Sequence, residues 1–113
     1  MSETSPPIEI SCQDVRARQS SDGPLQLVDC REPDEHALVH LDGALHVPMS
    51  QLMARAGELA TYKDRPLVVF CHHGQRSLQV AEWLRHRGFT QVQTMAGGID
   101  RWAVEIDPAM PRY

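Results

Sequence analysis

The sequence predicts one α/β domain with a mainly parallel sheet and helices on both faces. Strand-like and helix-like segments alternate along the chain, and this order favours parallel strands joined by crossover helices. The apolar run 66–70 is typical of a central strand that is covered on both faces. The length of 113 residues suits a single domain that buries its own core.

The amino-terminal segments indicate a loose lead-in, an edge strand and a helix. Residues 1–7 are polar and end in two prolines, so we expect them to be flexible. Residues 8–10 alternate as a short edge strand does. Ser11, with an acidic residue three positions later, resembles a capping box that opens a helix of two or three turns. Turn residues at 19–24 then lead to a second predicted strand at 25–29.

The middle of the chain adds a helix, a short strand and another helix. Pro33 suits an early helical position, and the predicted helix runs to about His40. An Asp-Gly turn precedes the strand predicted at 44–47. From Ser50 onward, apolar residues recur at the spacing of one helical face. They are Leu52, Met53, Ala56, Leu59 and Ala60.

The carboxyl-terminal half continues the alternation of strands and helices. After the apolar strand, a polar loop at 71–76 leads to a helix predicted over 77–87, and a glycine follows it as a C-terminal cap does. Residues 92–95 form the last predicted strand and 99–105 the last predicted helix. The expected organisation is therefore a lead-in, a domain and an irregular tail, at 1–7, 8–105 and 106–113.

Composition and charge exclude several classes of protein. Lys and Arg number 11 against 15 Asp and Glu, a net charge of −4, so no positive field favours nucleic acid or an anionic membrane. The first ten residues lack the basic and apolar regions of a signal peptide, and no apolar run is long enough to cross a bilayer. Three cysteines cannot all pair, and none lies in a CxxC spacing. We therefore expect a cytoplasmic protein in a reducing compartment, with neither nucleic acid nor membrane as a partner.

The segment 71–77 carries the strongest chemical signal. Ligands of parallel α/β folds bind beyond the carboxyl ends of the strands, and Cys71 ends the predicted central strand. A short loop before a helix can turn several backbone N–H groups toward one point, to which the helix dipole adds. Gly74 permits the curl, and Arg76 adds a positive charge. Such surroundings lower the pKa of a thiol, although position alone also allows Cys71 to be a small buried residue that ends a strand.

Four segments of the chain resemble rhodanese-like sulfurtransferases. They are CHHGQRS at 71–77, LVDCREPDEH at 27–36, HLDGALHVP at 40–48 and MAGGIDRW at 95–102, and they follow the order of the family. The resemblance covers about residues 8–104. It implies a three-layer rhodanese-like domain with a five-stranded sheet, and a cysteine that carries sulfane sulfur as a persulfide.

Carried over residue by residue, the resemblance assigns Cys71 as the sulfur carrier. Asp29 and Arg31 match positions that support the site from a neighbouring strand. The loop that holds the substrate matches His72, His73, Gly74, Gln75, Arg76 and Ser77. The resemblance implies no metal and no organic cofactor, and the two histidines leave the substrate preference open.

The activity that the resemblance implies is that of a thiosulfate sulfurtransferase. The Cys71 thiolate attacks the outer sulfur of a donor such as thiosulfate, and sulfite leaves. A thiol or cyanide then takes the sulfur from the persulfide, and a protein acceptor fits the same cycle.

Other functions fit parts of the sequence less well. A cysteine phosphatase has Cys-x5-Arg, whereas four residues separate Cys71 from Arg76. A non-catalytic interaction module of the same fold would not need the cysteine, glycine and arginine of the loop. A metal site could use His36 and His40 or the loop histidines, but the first pair lacks the glutamate of HExxH. Cys30 could act as a second thiol, and strand alternation favours a packing role for it instead.

Overall fold

A computed structural model describes residues 6–21 and 25–113. The lead-in predicted at 1–7 and the turn predicted at 19–24 lie partly outside these residues. The strands are Glu9–Ile10 (β1), Gln26–Asp29 (β2), Leu45–His46 (β3), Leu67–Phe70 (β4) and Val92–Met95 (β5). The α-helices are Cys12–Ser20 (α1), Pro33–Leu38 (α2), Leu52–Arg55 (α3), Gln75–His86 (α4) and Gly98–Glu105 (α5).

The five strands form one sheet in the order β1-β5-β4-β2-β3, and every neighbouring pair is parallel. Each face of the sheet has its own apolar core. On one face, Val69 of β4 and Leu84 of α4 belong to the same buried cluster. On the other face, Val68 of β4 clusters with Val15 of α1 and Ile99 of α5. The predicted α/β class, with helices on both faces of a five-stranded parallel sheet, is confirmed.

Strand β4 explains why its sequence is apolar throughout. Successive side chains of a strand point to opposite faces, and both faces of β4 are covered. Its four residues are each 0% exposed. The strand therefore lies at the centre of the molecule. The loop that follows β4 begins at the middle of the edge where the strands end.

The helix predicted from Ser50 is broken. Two 3₁₀ segments, Met49–Gln51 and Ala56–Tyr62, flank the four-residue α3. Two of the five apolar residues are buried, seven positions apart, whereas Met53 is 78% exposed. Two buried side chains do not stabilise a continuous helix here, because short helices depend on tertiary packing.

Two other helix boundaries differ from the prediction. Helix α2 ends at Leu38, two residues before the predicted end. Helix α4 begins at Gln75 rather than Ser77, so Arg76 belongs to its first turn. Across residues 6–21 and 25–113, no helix is long and apolar enough to cross a membrane.

Candidate active site

Cys71 lies where the central strand leaves the sheet. It directly follows β4, which has β2 on one side and β5 on the other. Only 1% of the residue is exposed. Because the carboxyl ends of parallel strands meet at one edge of the sheet, the segments that follow β2 and β5 lie close to Cys71.

A left-handed glycine turns the loop back onto the Cys71 sulfur. Gly74 has a φ of 105° and immediately precedes α4. Its backbone N–H donates to Sγ of Cys71 over 3.1 Å, and the N–H of Ser77 donates over 3.4 Å. The φ of Gly74 disfavours any other residue at this position. The start of α4 therefore supplies two amides and the positive end of its dipole to one sulfur atom.

These donors hold Cys71 as a thiolate. Its pKa is lowered to about 4, chiefly by a hydrogen bond from the Cys30 thiol and then by the hydroxyl and amide of Ser77. The amide of Gly74 acts in the same direction, and burial acts against it. Hydrogen bonds to the charged form thus outweigh desolvation, and the sulfur is ionised at neutral pH.

Ser77 is fixed by a second hydrogen bond. Its hydroxyl lies 2.6 Å from Oγ1 of Thr94 on β5, and both residues are buried. A buried hydroxyl with a partner keeps one orientation. The residue whose amide donates to Cys71 is therefore held by the neighbouring strand as well as by α4.

Helix α5 holds the backbone of the loop. The N–H of Ile99 donates to the carbonyl of Cys71 over 2.8 Å, and that of Asp100 donates to the carbonyl of His72 over 3.1 Å. Gly98 has a φ of 63°, and a Cβ there would collide with both carbonyl oxygens. The Gly-Gly pair therefore lets the start of α5 approach the loop.

Arg76 is paired with Glu35 rather than free. Its guanidinium donates two hydrogen bonds to this carboxylate, over 2.6 and 2.9 Å. The pair lowers the pKa of Glu35 to about 2. Helix α2 presents Glu35 to the first turn of α4, across 41 positions of the chain. The hydroxyl of Tyr113 also donates to Glu35, over 2.9 Å.

The two loop histidines differ in environment. The ring of His72 stacks between His73 and Tyr113, with both centroid distances at 3.9 Å. Its Nε2 is the one buried side-chain nitrogen or oxygen without a hydrogen bond in the part of the chain that the structure describes. His73 is 61% exposed and lies 3.7 Å from Asp100. Gln75, the first residue of α4, is also exposed.

One group of side chains has the composition of a metal site. His72, His73 and Asp100 offer ligand atoms within 4.8 Å of one another. Imidazole lone pairs lie in the ring plane, however, so two stacked rings direct them in parallel rather than at one ion. Asp100 is also paired with Arg112 over 2.9 Å. We therefore assign no metal to this group.

The other histidine pair considered as a metal site is also stacked. The ring of His36 lies between those of His40 and His46, at centroid distances of 4.7 and 4.2 Å. His46 donates from Nε2 to the carbonyl of Arg31 over 2.8 Å. The same argument from ring planes applies, so we assign no metal to these histidines either.

Asp29 and Arg31 form a buried brace beside the loop. The two oxygens of Asp29 accept from Nε and from one terminal nitrogen of Arg31, over 2.9 and 2.7 Å. That nitrogen also donates to the carbonyl of Val39 over 2.6 Å. The other terminal nitrogen donates to the hydroxyl of Tyr113 over 3.0 Å. The brace ties the end of β2 to the end of α2. Within the part of the chain that the structure describes, neither Asp29 nor Arg31 makes a hydrogen bond to the Cys71 sulfur.

Sequence reasoning missed two residues of this site and favoured a packing role for a third, Cys30. Glu35 and Tyr113 carry no local signal, because their partners are distant in the chain. Cys30 did carry one, since the predicted strands at 25–29 and 66–70 are each followed by a cysteine. Neighbouring parallel strands bring such residues side by side.

Comparisons with known proteins agree on one family. A profile of the Rhodanese-like domain matches residues 11–105. A thiosulfate sulfurtransferase of Pseudomonas paraeruginosa is 35% identical over 89 residues, which cover 77% of this chain and 77% of that protein. A sulfurtransferase of Allochromatium vinosum is 35% identical over 95 residues, with 84% and 87% covered.

The solved structures include the human single-domain sulfurtransferase. It is 27% identical, with a TM-score of 0.73, and the match covers 88% of this chain and 98% of the human one. Several other curated relatives are longer proteins, and this chain spans 26% to 63% of their length.

Proposed function

The chain belongs to the rhodanese-like domain family of sulfurtransferases, and we propose that it transfers sulfane sulfur through a persulfide on Cys71. The observation that carries this proposal is the position of the Cys71 sulfur at the start of α4, where the amides of Gly74 and Ser77 donate to it. A thiolate is the form of cysteine that attacks sulfur. The relatives named as sulfurtransferases support the same reaction.

The first step consumes the donor. The Cys71 thiolate attacks the outer sulfur of thiosulfate, a Cys71–sulfur bond forms, and sulfite leaves with the electron pair of the bond that breaks. The negative charge then lies on the outer sulfur of the persulfide. The backbone amides of Gly74 and Ser77, already directed at this point, stabilise that charge as they stabilise the thiolate.

The second step returns the enzyme to its resting state. An acceptor thiolate, or cyanide, attacks the outer sulfur, and the electron pair returns to Sγ of Cys71. In both steps a nucleophile displaces an electron pair at a sulfur atom, so the cycle calls on no metal and no organic cofactor. We propose a small sulfur donor, with a thiol or a protein as the acceptor, and a reducing, cytoplasmic setting that suits its three free cysteines.

Access to the sulfur requires movement of its surroundings. Cys71 is 1% exposed, so a donor reaches it only when neighbouring side chains shift. Tyr113 stacks on His72, the residue that follows Cys71, and we infer that this stack moves aside when a donor enters. Arg76, oriented by Glu35 in the first turn of α4, is 34% exposed and offers a positive charge to an arriving anion.

The test is the intact mass of the protein after incubation with thiosulfate and removal of excess donor. We expect a gain of one sulfur atom, located on the peptide that contains Cys71 and removed by a thiol or cyanide. Cys71→Ser should give no adduct, whereas Cys12→Ser, which removes a buried thiol from another part of the core, should give it in full. An adduct that persists in folded Cys71→Ser, or none in the wild type, would overturn the proposal.

A further inference from the structure

The Cys30 thiol lies beside the Cys71 sulfur at the edge of the sheet. Strands β2 and β4 are paired in parallel, with Asp29 opposite Phe70. The pairing continues past the strand ends, because the N–H of Cys30 donates to the carbonyl of Phe70 over 3.0 Å. Cys30 directly follows β2 and Cys71 directly follows β4. Because neighbouring strands are about 4.8 Å apart, the two cysteines lie side by side.

Both thiols point into the same core. Cys30 and Cys71 belong to one buried cluster, together with Val28 and Val69, whereas Phe70 belongs to the cluster on the opposite face. Cys30 is 0% exposed. The interaction with Cys30 is also the largest of the contributions that lower the pKa of Cys71. The two sulfurs are therefore neighbours within the protein interior, out of contact with water.

The charges around the pair decide which sulfur keeps its proton. Cys30 contacts Cys71, and its pKa is raised by that hydrogen bond, by burial and by the charge of Asp29, against the charge of Arg76. Only Cys71 has the amides of Gly74 and Ser77. The negative charge therefore lies on Cys71, and Cys30 remains an S–H donor.

The loop approaches the Cys71 sulfur from one side, and the core faces its other side. The loop side has amides, whereas most buried members of the cluster are aliphatic residues, which cannot stabilise a charge. Cys30 belongs to this cluster, carries a polar hydrogen and lies on the segment paired beside Cys71. We propose that Cys30 is a positioning residue whose thiol donates a hydrogen bond to the Cys71 thiolate from the core side and keeps the nucleophile ionised and in place.

This inference deepens the proposed function, since it concerns the same nucleophile, but its test needs no sulfur donor. The experiment follows the ultraviolet absorbance of the thiolate, and its rate of alkylation, as a function of pH. Burial raises the pKa of Cys12 to about 11, so the signal at lower pH reports Cys71. The variants are Cys30→Val and Cys30→Ala, which remove the donor, and Cys30→Ser, which keeps one.

We expect the pKa of Cys71, about 4 in the wild type, to rise by about one to two pH units in Cys30→Val and Cys30→Ala. Cys30→Ser should remain closer to the wild type, because a hydroxyl also donates. Cys12→Ala, a matched loss of a buried thiol, should leave the value unchanged. An unchanged pKa in folded Cys30→Val and Cys30→Ala, or an equal rise in Cys30→Ser, would overturn the inference.

A second measurement covers the case in which the Cys30 variants do not fold. In the wild type, the infrared S–H stretch of Cys30 should lie at the lower frequency of a hydrogen-bonded thiol and move upward in Cys71→Ala. A band at the same frequency in both proteins would contradict the hydrogen bond. Failure of thiosulfate to form an adduct, with these titrations as expected, would remove the proposed function and leave the role of Cys30 standing.

Discussion

At the scale of single residues, the charge of Cys71 is stabilised mainly by hydrogen-bond donors. The thiol of Cys30 and the amides of Gly74 and Ser77 all belong to neutral groups. The nearby cation, Arg76, is already neutralised by Glu35. Neutral donors can stabilise the negative charge both on the thiolate sulfur and on the outer sulfur of a persulfide. A direct ion pair would instead favour the charge on the thiolate sulfur alone.

The Arg76–Glu35 pair allows a test of what the arginine contributes. Arg76→Ala leaves the Glu35 carboxylate, 17% exposed, without its partner beside the loop, and this negative charge should repel both the thiolate and an anionic donor. We expect kcat/KM for thiosulfate to fall roughly tenfold or more, a loss of about 1.4 kcal/mol or more. Steady-state kinetics of wild type and variant measure it.

A double variant and a matched ion pair serve as controls. Arg76→Ala combined with Glu35→Gln should recover part of the rate, because no unpaired carboxylate remains. Arg55→Ala breaks an exposed pair with Glu58 of similar geometry, at 3.0 Å, and should leave the kinetics unchanged. If Arg76→Ala and Arg55→Ala behave alike, Arg76 has no part in handling the donor.

At the scale of elements, two helix starts meet at the loop. The start of α4 directs N–H groups at the sulfur, and the start of α5 directs N–H groups at the carbonyls of Cys71 and His72. One helix thus sets the electrostatics of the nucleophile while the other fixes the backbone that carries it. Both depend on glycines with positive φ, at which a Cβ is disfavoured.

Gly98→Ala should damage both the fold and the site. The added methyl group collides with the carbonyl oxygens of Cys71 and His72, and alanine disfavours the φ of 63°. We expect a loss of roughly 1–3 kcal/mol or more in the free energy of unfolding, with slower adduct formation on thiosulfate. Urea unfolding and intact mass measure the two effects.

Gly57→Ala is the matched control. A Cβ at Gly57 meets nothing within 4 Å, and its φ lies outside the left-handed region. Its stability should stay within about 0.5 kcal/mol of the wild type. Equal stability of the two alanine variants would contradict the tight approach of α5 to the loop.

At the scale of the whole molecule, the buried thiolate couples folding to pH. The pKa of Cys71 is about 4 in the folded protein, against an ordinary value of 9.0. Between these values the unfolded chain binds a proton that the folded chain does not, so the contribution of Cys71 is complete above pH 9.0 and lost as pH falls to about 4. The free energy of unfolding should therefore rise with pH across this window.

Urea unfolding at a series of pH values, for wild type and Cys71→Ser, isolates the effect. The difference in the free energy of unfolding should grow with pH, by at most about 1.4 kcal/mol per pH unit. Cys12→Ser should show a flat difference below pH 9.0, because the folded-state pKa of Cys12 is raised to about 11 rather than lowered. A difference for Cys71→Ser that does not vary with pH would show that the thiol is not ionised in the folded state.

The sequence alone determined the fold class and the place of Cys71, because the sequence patterns that indicate them are local. Alternating apolar patterns, glycine caps and the apolar run of β4 depend on residues a few positions apart, so they predicted the parallel sheet and placed Cys71 at the end of its central strand. The continuous helix predicted from Ser50 was wrong, because only two of the apolar residues on its predicted face are buried in the core.

The tertiary structure alone decided which groups surround the sulfur. Glu35 meets Arg76 across 41 positions of the chain and Tyr113 across 78, and no local pattern encodes either contact. Cys30 reaches Cys71 only because β2 and β4 are neighbours in this register. The ionisation of a buried sulfur depends on every donor and charge within a few ångströms, and folding, rather than proximity along the chain, brings those groups together.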